Sequence, residues 1–422
     1  MRFAANAWQT LPIASCCELV TSGGTPSRKR LDYYHKGTIP WVKTGELTDW
    51  YVRPSDISER ITEDGVRNSS AKLYPKGTIL VAMYGDGRTI GSLGIVDEPV
   101  ASNQACCALI PDQGVCTPEF LFYTLMHRRS ELIALALGGA QRNLSGTTIK
   151  RFEIQVPPLA LQGKIASLLS AYDELIDNKT RKIAILEEMG QRIYAEWFVH
   201  FRAPNCEGLP LIDSPLGSIP QGWQIETLAS VAAVNPEQIN LKQPPQRIGY
   251  IDIASVSPGR IEQVTPMDFV DAPGRARRIV RAGDIIWSCV RPNRRSYAFI
   301  QEPGEDWIAS TGFAVLRPNP HLAAYFYHAV TTDGFVDFLV GRATGAAYPA
   351  VTAGTFESAR LVVPPSEILK SFDNIVAPMM RLANLLHRQC DILRAQRNLL
   401  LPKLISGEID LSEAEVLLEA AE

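Results

Sequence analysis

Two stretches of the chain carry apolar residues at alternating spacings of four and three. In the first, Leu161, Ile165, Leu168, Tyr172 and Leu175 share one face. The register passes through Lys179 and Lys182 and resumes at Leu186, Met189 and Ile193. In the second, Ile368, Phe372, Ile375, Met379, Leu382 and Leu386 keep the spacing, Gln389 interrupts it, and Leu393 and Leu400 continue it. A period of 3.5 is the mark of a coiled-coil seam. Each stretch follows a Pro-Pro pair, Pro157-Pro158 and Pro364-Pro365. Proline cannot continue a helix backward but suits its first turn, so each pair marks a helix start. The first helix, over 160–198, would be about 58 Å long at 1.5 Å per residue. The simplest expectation packs the two helices as an antiparallel coiled coil with globular parts at opposite ends. Lys179, Lys182 and Gln389 would then form a polar layer that fixes register.

Elsewhere the period changes to that of strands. Short β-prone runs such as 78–84 and 284–290 are separated by Gly, Pro, Asn and Asp clusters, with helical stretches over 118–137 and 323–340. The runs recur in order. Val156-Pro157-Pro158 returns as Val363-Pro364-Pro365, an offset of 207 residues; Ala101-Ser102 returns as Ala309-Ser310; Gly77-Thr-Ile-Leu80 returns as Gly283-Asp-Ile-Ile286; Leu144-Ser145 returns as Val351-Thr352; and Trp8-Gln9 returns as Trp223-Gln224. The order predicts two copies of one unit of about 200 residues. The expected architecture is α+β: two mixed α/β domains separated by the helix pair, with a pseudo-two-fold internal repeat. Its parts are a first domain at 1–155, a first spacer helix at 156–203, a linker and second domain at 204–363, a second spacer helix at 364–407 and an acidic tail at 408–422.

Charge sharpens this outline. The chain has 422 residues, 42 Lys+Arg against 45 Asp+Glu, and a formal net charge of −3. Six of the acids and no base fall in the last fifteen residues, so the rest carries 42 bases and 39 acids. The mean therefore does not exclude a nucleic-acid partner. A DNA-binding chain of this balance would neutralise little phosphate by itself. No apolar run approaches the ~18 residues that span a bilayer, and the N-terminal stretch has no continuous apolar core, so a cytoplasmic protein without a membrane partner is expected. The eight cysteines form no Cys-x-x-Cys, so no metal site is expected and the thiols read as buried and reduced.

Motifs of catalysis are missing as well. The sequence has no Gly-x-x-x-x-Gly-Lys-Ser/Thr loop, no Gly-x-Gly-x-x-Gly, no Gly-x-Ser-x-Gly and no His-Glu-x-x-His. Asp177-Asn178-Lys179 imitates the end of a nuclease site but falls on the heptad helix. Local basicity remains. Between Arg275 and Arg295 stand seven arginines (275, 277, 278, 281, 291, 294 and 295) and one acid, Asp284. Ser27-Arg-Lys-Arg30, with Tyr33, Tyr34 and His35, has the same character in the first half. Arginine reads guanine or neutralises phosphate, and asparagine reads adenine. The candidate DNA contacts are Lys43, Thr44, Tyr84, Arg88, Arg142 and Asn143 in the first half. In the second they are Arg291, Asn293, Arg294, Arg295 and Arg342. A single basic run is more often a solvated face. Two of them on a rigid spacer suit two half-sites a helical turn, ~34 Å, apart.

Several segments together resemble one family, the specificity subunits of type I restriction–modification enzymes. They are Gly23-Gly-Thr-Pro-Ser27, Ile39-Pro-Trp-Val-Lys-Thr-Gly-Glu46, Asn103-Gln-Ala-Cys106, Gln141-Arg-Asn-Leu-Ser145, Val156-Pro-Pro158, Asp213-Ser-Pro-Leu-Gly-Ser-Ile-Pro-Gln-Gly-Trp223 and Leu401-Pro-Lys-Leu-Ile-Ser-Gly-Glu-Ile409. The second half departs at Ala347-Tyr-Pro-Ala-Val-Thr352, which replaces the Gln-Arg-Asn-Leu-Ser form. The resemblance implies a non-catalytic chain with two target-recognition domains, each binding one half of a bipartite, asymmetric site in double-stranded DNA. It implies helices that dock two methyltransferase subunits, and restriction subunits that complete the nuclease. S-adenosylmethionine, ATP and Mg would sit on those partners, with no cofactor on this chain. The competing expectations are a coiled-coil scaffold displaying two non-DNA binding modules, and a complete single-chain enzyme of another type.

Overall fold

The computed structural model describes residues 8–85, 89–136, 143–204, 206, 208–319, 321–409 and 411. Of the acidic tail expected at 408–422, only residues 408, 409 and 411 are among them. The chain divides into two compact units, Met1–Asn178 with Gln389–Glu422, and Lys179–Arg388.

The first unit holds eleven described strands. They are β1 (Gln9–Pro12), β2 (Cys17–Ser22), β3 (Ile39–Val42), β4 (Trp50–Val52), β5 (Arg60–Ile61), β6 (Leu73–Tyr74), β7 (Ile79–Ala82), β8 (Leu93–Val96), β9 (Val100–Ser102), β10 (Cys106–Pro111) and β11 (Glu153–Val156). They build a five-stranded sheet in the order β2-β10-β7-β8-β4, a four-stranded sheet β5-β3-β9-β6 and the antiparallel pair β1-β11. β3 and β9 run parallel. β7 and β8 are buried along their whole length, because helix α2 (Pro118–His127) and the second sheet cover opposite faces.

The second unit adds the short pair β12 (Leu211–Ile212) and β13 (Ile219–Pro220), then β14 (Gln224–Thr227), β15 (Ala232–Val234), β16 (Arg247–Ile251), β17 (Val256–Ser257), β18 (Arg260–Ile261), β19 (Thr265–Asp268), β20 (Ala276–Ile279), β21 (Ile285–Ser288), β22 (Tyr297–Phe299), β23 (Trp307–Ser310), β24 (Phe313–Pro318) and β25 (Arg360–Val363). Its sheets are β15-β24-β21-β22, β19-β16-β23-β20 and the pairs β14-β25, β12-β13 and β17-β18. The two four-stranded sheets and β14-β25 repeat the order of the first unit, down to the parallel β16-β23 pair. The first unit's fifth strand, β4, is the one without a counterpart in that sheet.

Each helical stretch expected at 118–137 and 323–340 is two helices. α2 is followed by α3 (Arg129–Ala134), and Leu137 lies outside the described residues. α7 (Ala323–Ala329) is followed by α8 (Asp333–Val340), whose N-terminus is capped by the Thr332 hydroxyl accepting from Phe335 N–H. Such a cap competes with helix continuation and divides the stretch.

Both Pro-Pro pairs start a long helix, α5 (Leu159–Tyr194) and α10 (Ser366–Ile405), and α5 ends in a π-turn over Ala195–Val199. The face they bury is one position away from much of the apolar pattern. Gln162, Ile165, Ala166, Leu169, Asp173, Ile176 and Ile183 are buried in α5; Leu369, Phe372, Val376, Ala383, Leu386 and Cys390 are buried in α10. Leu175, Met189, Ile375 and Leu382, all placed on the seam by spacing, are more than 40% exposed. The buried face includes two polar residues that an apolar count discards. Gln162 is fully enclosed, accepting from Thr117 N–H at 2.8 Å and donating to the carbonyls of Val115 and Pro157. Asp173 accepts from the Tyr123 hydroxyl at 2.8 Å and pairs with Arg397. In the first unit Ile165 and Leu169 of α5 share a core with Leu401, Leu404 and Ile405 of α10. In the second, Phe372 of α10 packs on Phe198, Trp197 and Tyr194, with ring centroids 4.9, 5.8 and 6.3 Å away.

Candidate nucleic-acid interface

In each unit a set of loops is stitched together by backbone hydrogen bonds. In the first unit, Met83 N–H donates to Ala105 O at 2.8 Å, and Met83 O accepts from Leu144 N–H at 3.0 Å. In the second, Cys289 N–H donates to Gly312 O at 2.8 Å, and Cys289 O accepts from Val351 N–H at 2.9 Å. One residue just after β7, and one just after β21, therefore holds the turn before β10 or inside β23-β24 on one side and the loop before the last short helix on the other. The candidate Tyr84 follows the first of these residues directly, and Arg291 lies two positions beyond the second. Asn143 stands beside Leu144.

The first unit extends this cluster through the Gly23-Gly24 loop. Gly23 N–H donates to Cys106 O, and Gly24 N–H to Ser102 O at 2.9 Å. A Cβ at Gly23 would lie 2.3 Å from Asn103 O, and one at Gly24 2.3 Å from the Ser70 backbone. No side chain fits either place. Trp41 Nε1 donates to Gly24 O at 3.0 Å, and the Thr25 hydroxyl donates to Gln104. Three segments that carried the resemblance, 23–27, 39–46 and 103–106, thus meet in one place.

Cations and rings converge there. The Arg28 guanidinium lies 4.5 Å from the Tyr34 ring centroid and 5.0 Å from that of Trp41. Lys43 Nζ sits 5.9 Å from the Trp41 ring and 2.8 Å from Glu59. Glu59 also pairs with Arg28, and that hydrogen bond, against some burial and with help from Lys43, holds its carboxyl below the usual range. Glu46 accepts from Lys43 N–H at 2.9 Å and from both Ser58 N–H and its hydroxyl, which fixes the turn carrying Thr44. Tyr84 is 41% exposed and Asn143 is exposed. Arg88 and Arg142 lie outside the described residues.

In the second unit the arginines divide by partner. Arg275 pairs with Asp252 at 2.6 Å and donates to the Tyr250 hydroxyl at 2.9 Å. Arg281 pairs with Glu237, Arg295 with Asp333, and Arg317 with the fully buried Asp284 at 2.7 Å. The bonds from Arg281 and then Arg317 drop the Glu237 carboxyl to about 2. Three of the seven arginines in the run, Arg275, Arg281 and Arg295, are therefore matched by acids distant in sequence. Arg291 and Arg295 both adopt left-handed backbone, φ 50° and 55°, on either side of the turn Pro292–Arg294. Such residues cost about 1–3 kcal/mol each unless their surroundings impose the conformation. Here Arg291 N–H donates to Pro349 O at 2.7 Å, its Nη2 donates to Ala347 O at 3.1 Å, and its guanidinium lies 4.5 Å from the Tyr348 ring. Asn293 and Arg294 are left exposed at the tip. Arg342 stacks 3.9 Å from the Phe338 ring.

The structure brings Lys43 and Thr44 together with Arg28, Trp41 and Gln104, none of which was chosen from sequence. Arg28 was in view as part of a basic run, but its aromatic seat depends on a strand thirteen residues away. Arg278 was likewise within a run and passed over. Among the described residues, no group of three or more His, Cys, Asp and Glu is placed to hold a metal ion, and no helix is long and apolar enough to cross a membrane.

A family model described as the type I restriction modification DNA specificity domain matches residues 6–188. The resemblance drawn from the sequence motifs holds along the rest of the chain too. The chain is 27% identical over 409 residues to the type I restriction enzyme MjaIX specificity subunit of Methanocaldococcus jannaschii, covering 93% of this chain and 92% of that one. It is 26% identical over 176 residues to the EcoR124I/EcoR124II specificity subunit of Escherichia coli, covering 41% and 43%. The crystal structure of the type I restriction–modification S subunit from M. genitalium has the same fold, with a TM-score of 0.61 at 18% identity over 96% of this chain and 98% of that one.

Proposed function

We propose that this chain is the DNA-reading subunit of a type I restriction–modification complex, each unit binding one half of a bipartite, asymmetric site in double-stranded DNA. The observation that carries this is the loop cluster. It recurs at the same place in the same strand order, presents different side chains each time, and sits in a chain whose relatives are specificity subunits. On this reading the two halves are copies of one recognition domain. Rigid backbone with variable side chains suits base reading, in which phosphate contacts set register and base contacts set sequence.

The long helices, paired as an antiparallel coiled coil, would set the distance between the two readers. Their outward apolar residues Leu175, Ile185, Ile392 and Leu399, each more than half exposed, would dock the methyltransferase subunits. Restriction subunits would join that complex. S-adenosylmethionine, ATP and Mg would be held by those partners, and this chain would do no chemistry of its own.

Sequencing of methylated adenines in DNA from cells that express the chain with its methyltransferase partner tests this. The expected result is one asymmetric motif of two short blocks separated by a fixed gap. Exchange of residues 204–363 for those of a relative should change one block and leave the other. A motif that survives the exchange unaltered, or no motif at all, would overturn the proposal.

A further inference from the structure

Arg278 stands apart from the other arginines of its unit. It lies on β20, an edge strand of its sheet, where Ile239 N–H donates to Arg277 O at 3.0 Å and Gln238 bridges to Arg278 itself. Its Nε is shut off from solvent and has no hydrogen-bond partner. Among the described residues no carboxylate pairs with it, whereas Arg275, Arg281, Arg295 and Arg317 all have one. β20 pairs with β23 so that Arg278 stands opposite Ala309, three residues before Gly312, whose carbonyl accepts from the amide of Cys289 in the loop cluster. Burial pushes the Cys289 thiol up to about 11, so at neutral pH it is uncharged and gives no compensation.

A guanidinium partly withdrawn from water without a counter-charge is unfavourable, and burial accordingly lowers its pKa. An anion bound at the cluster would remove the penalty, and the anion that a DNA duplex supplies is the phosphodiester. A base edge would offer acceptors but would leave the full charge unmatched. We propose that Arg278 is a phosphate-binding residue of the second recognition unit. This rests on the DNA-reading function proposed above and adds a residue to it.

The test uses the full chain co-purified with its methyltransferase partner. Binding is measured for the target duplex and for a duplex with a scrambled second half-site, from 50 to 200 mM salt. Arg278→Met should weaken both by a similar factor, about tenfold or more at the lowest salt. It should also reduce the slope of log affinity against log salt by about 0.9, the share of one phosphate. Arg278→Lys should restore most of the slope. Loss of affinity for the target alone would overturn the phosphate assignment in favour of base reading. An unchanged slope and affinity would overturn it outright. Thermal unfolding of the free chain guards against a merely structural role: Arg278→Met should leave the midpoint unchanged or raised, and a lowered midpoint with unaltered binding counts against the proposal. If the wild-type complex retains neither duplex, it is the DNA-reading function that fails, and that outcome is distinct from all of these.

Discussion

Replacing Asp173 tests how the first unit holds its two helical segments together. The carboxylate is 5% exposed, accepts from the fully enclosed Tyr123 hydroxyl, and pairs with Arg397, whose side chain is 16% exposed. Asp173→Ala takes the acceptor from the Tyr123 hydroxyl and the counter-charge from Arg397, which keeps its bonds to the Asn398 side chain. A buried hydroxyl without an acceptor costs about 1–3 kcal/mol, and breaking a buried ion pair from one side costs about 3–5 kcal/mol. Part of this is returned, because the carboxylate is itself penalised: burial lifts its pKa, against the opposing pull of Arg397 and Tyr123. A net loss of about 3 kcal/mol is expected on that balance. Asp173→Asn, which keeps an acceptor for Tyr123 but no charge for Arg397, should fall between. The double replacement Asp173→Leu with Arg397→Met should cost less than the sum of the single changes by about 1–2 kcal/mol, since no charge is left stranded. Urea unfolding of the four proteins measures the energies. Hydrogen exchange of peptides within 159–178 and 389–405 places the loss in this unit. A loss below about 1 kcal/mol for Asp173→Ala, or strict additivity in the double variant, would refute the reasoning.

Other predictions concern the loops. Asn293→Ala and Arg294→Ala should lower affinity for the second half-site at least severalfold with no change in melting temperature; Arg295→Ala should lower the melting temperature, since it leaves a left-handed backbone position without its Asp333 anchor. Gel shifts beside thermal melts separate the two, and equal effects in both assays for all three would contradict the division. Gly24→Ala should destabilise the first unit and remove recognition of the first half-site alone, because its Cβ meets the Ser70 backbone; normal reading of both half-sites would refute it. Glu237 gives a pH dependence. Its folded pKa lies below its unfolded one, so its contribution is full above the ordinary value near 4.5 and is lost as pH falls toward about 2. Glu237→Gln should therefore flatten the fall of the melting temperature over that window, and a parallel fall in both proteins would sink the assignment.

Much of the fold was legible because it rests on periodicity. The Pro-Pro pairs mark both long helices, and the recurrence of Val-Pro-Pro and of Ala-Ser points to the matching strand orders. The helix faces were harder, since Gln162 and Asp173 are buried only because Thr117, Val115, Tyr123 and Arg397 satisfy them, and those partners lie far off in sequence. The site was legible as segments and illegible as side-chain roles. Gly23, Trp41 and Gln104 belong together through Trp41 Nε1, Gly24 O and the Gln104 side chain, contacts between strands that no local pattern encodes. For the same reason the arginines between 275 and 295 could not be sorted by eye. Asp252, Glu237 and Asp333 neutralise three of them from 23 to 44 residues away.

The bonds that join the loops at Met83 and Cys289 are made by main-chain atoms alone. Their strength does not depend on what the side chain is, and a thioether in one unit and a thiol in the other serve equally. Mutational drift at the neighbouring tips therefore leaves the scaffold beneath them intact. On the proposed reading, a new base preference in one unit can arise by substitutions at those tips, with little cost in folding and no need for compensating change in the other.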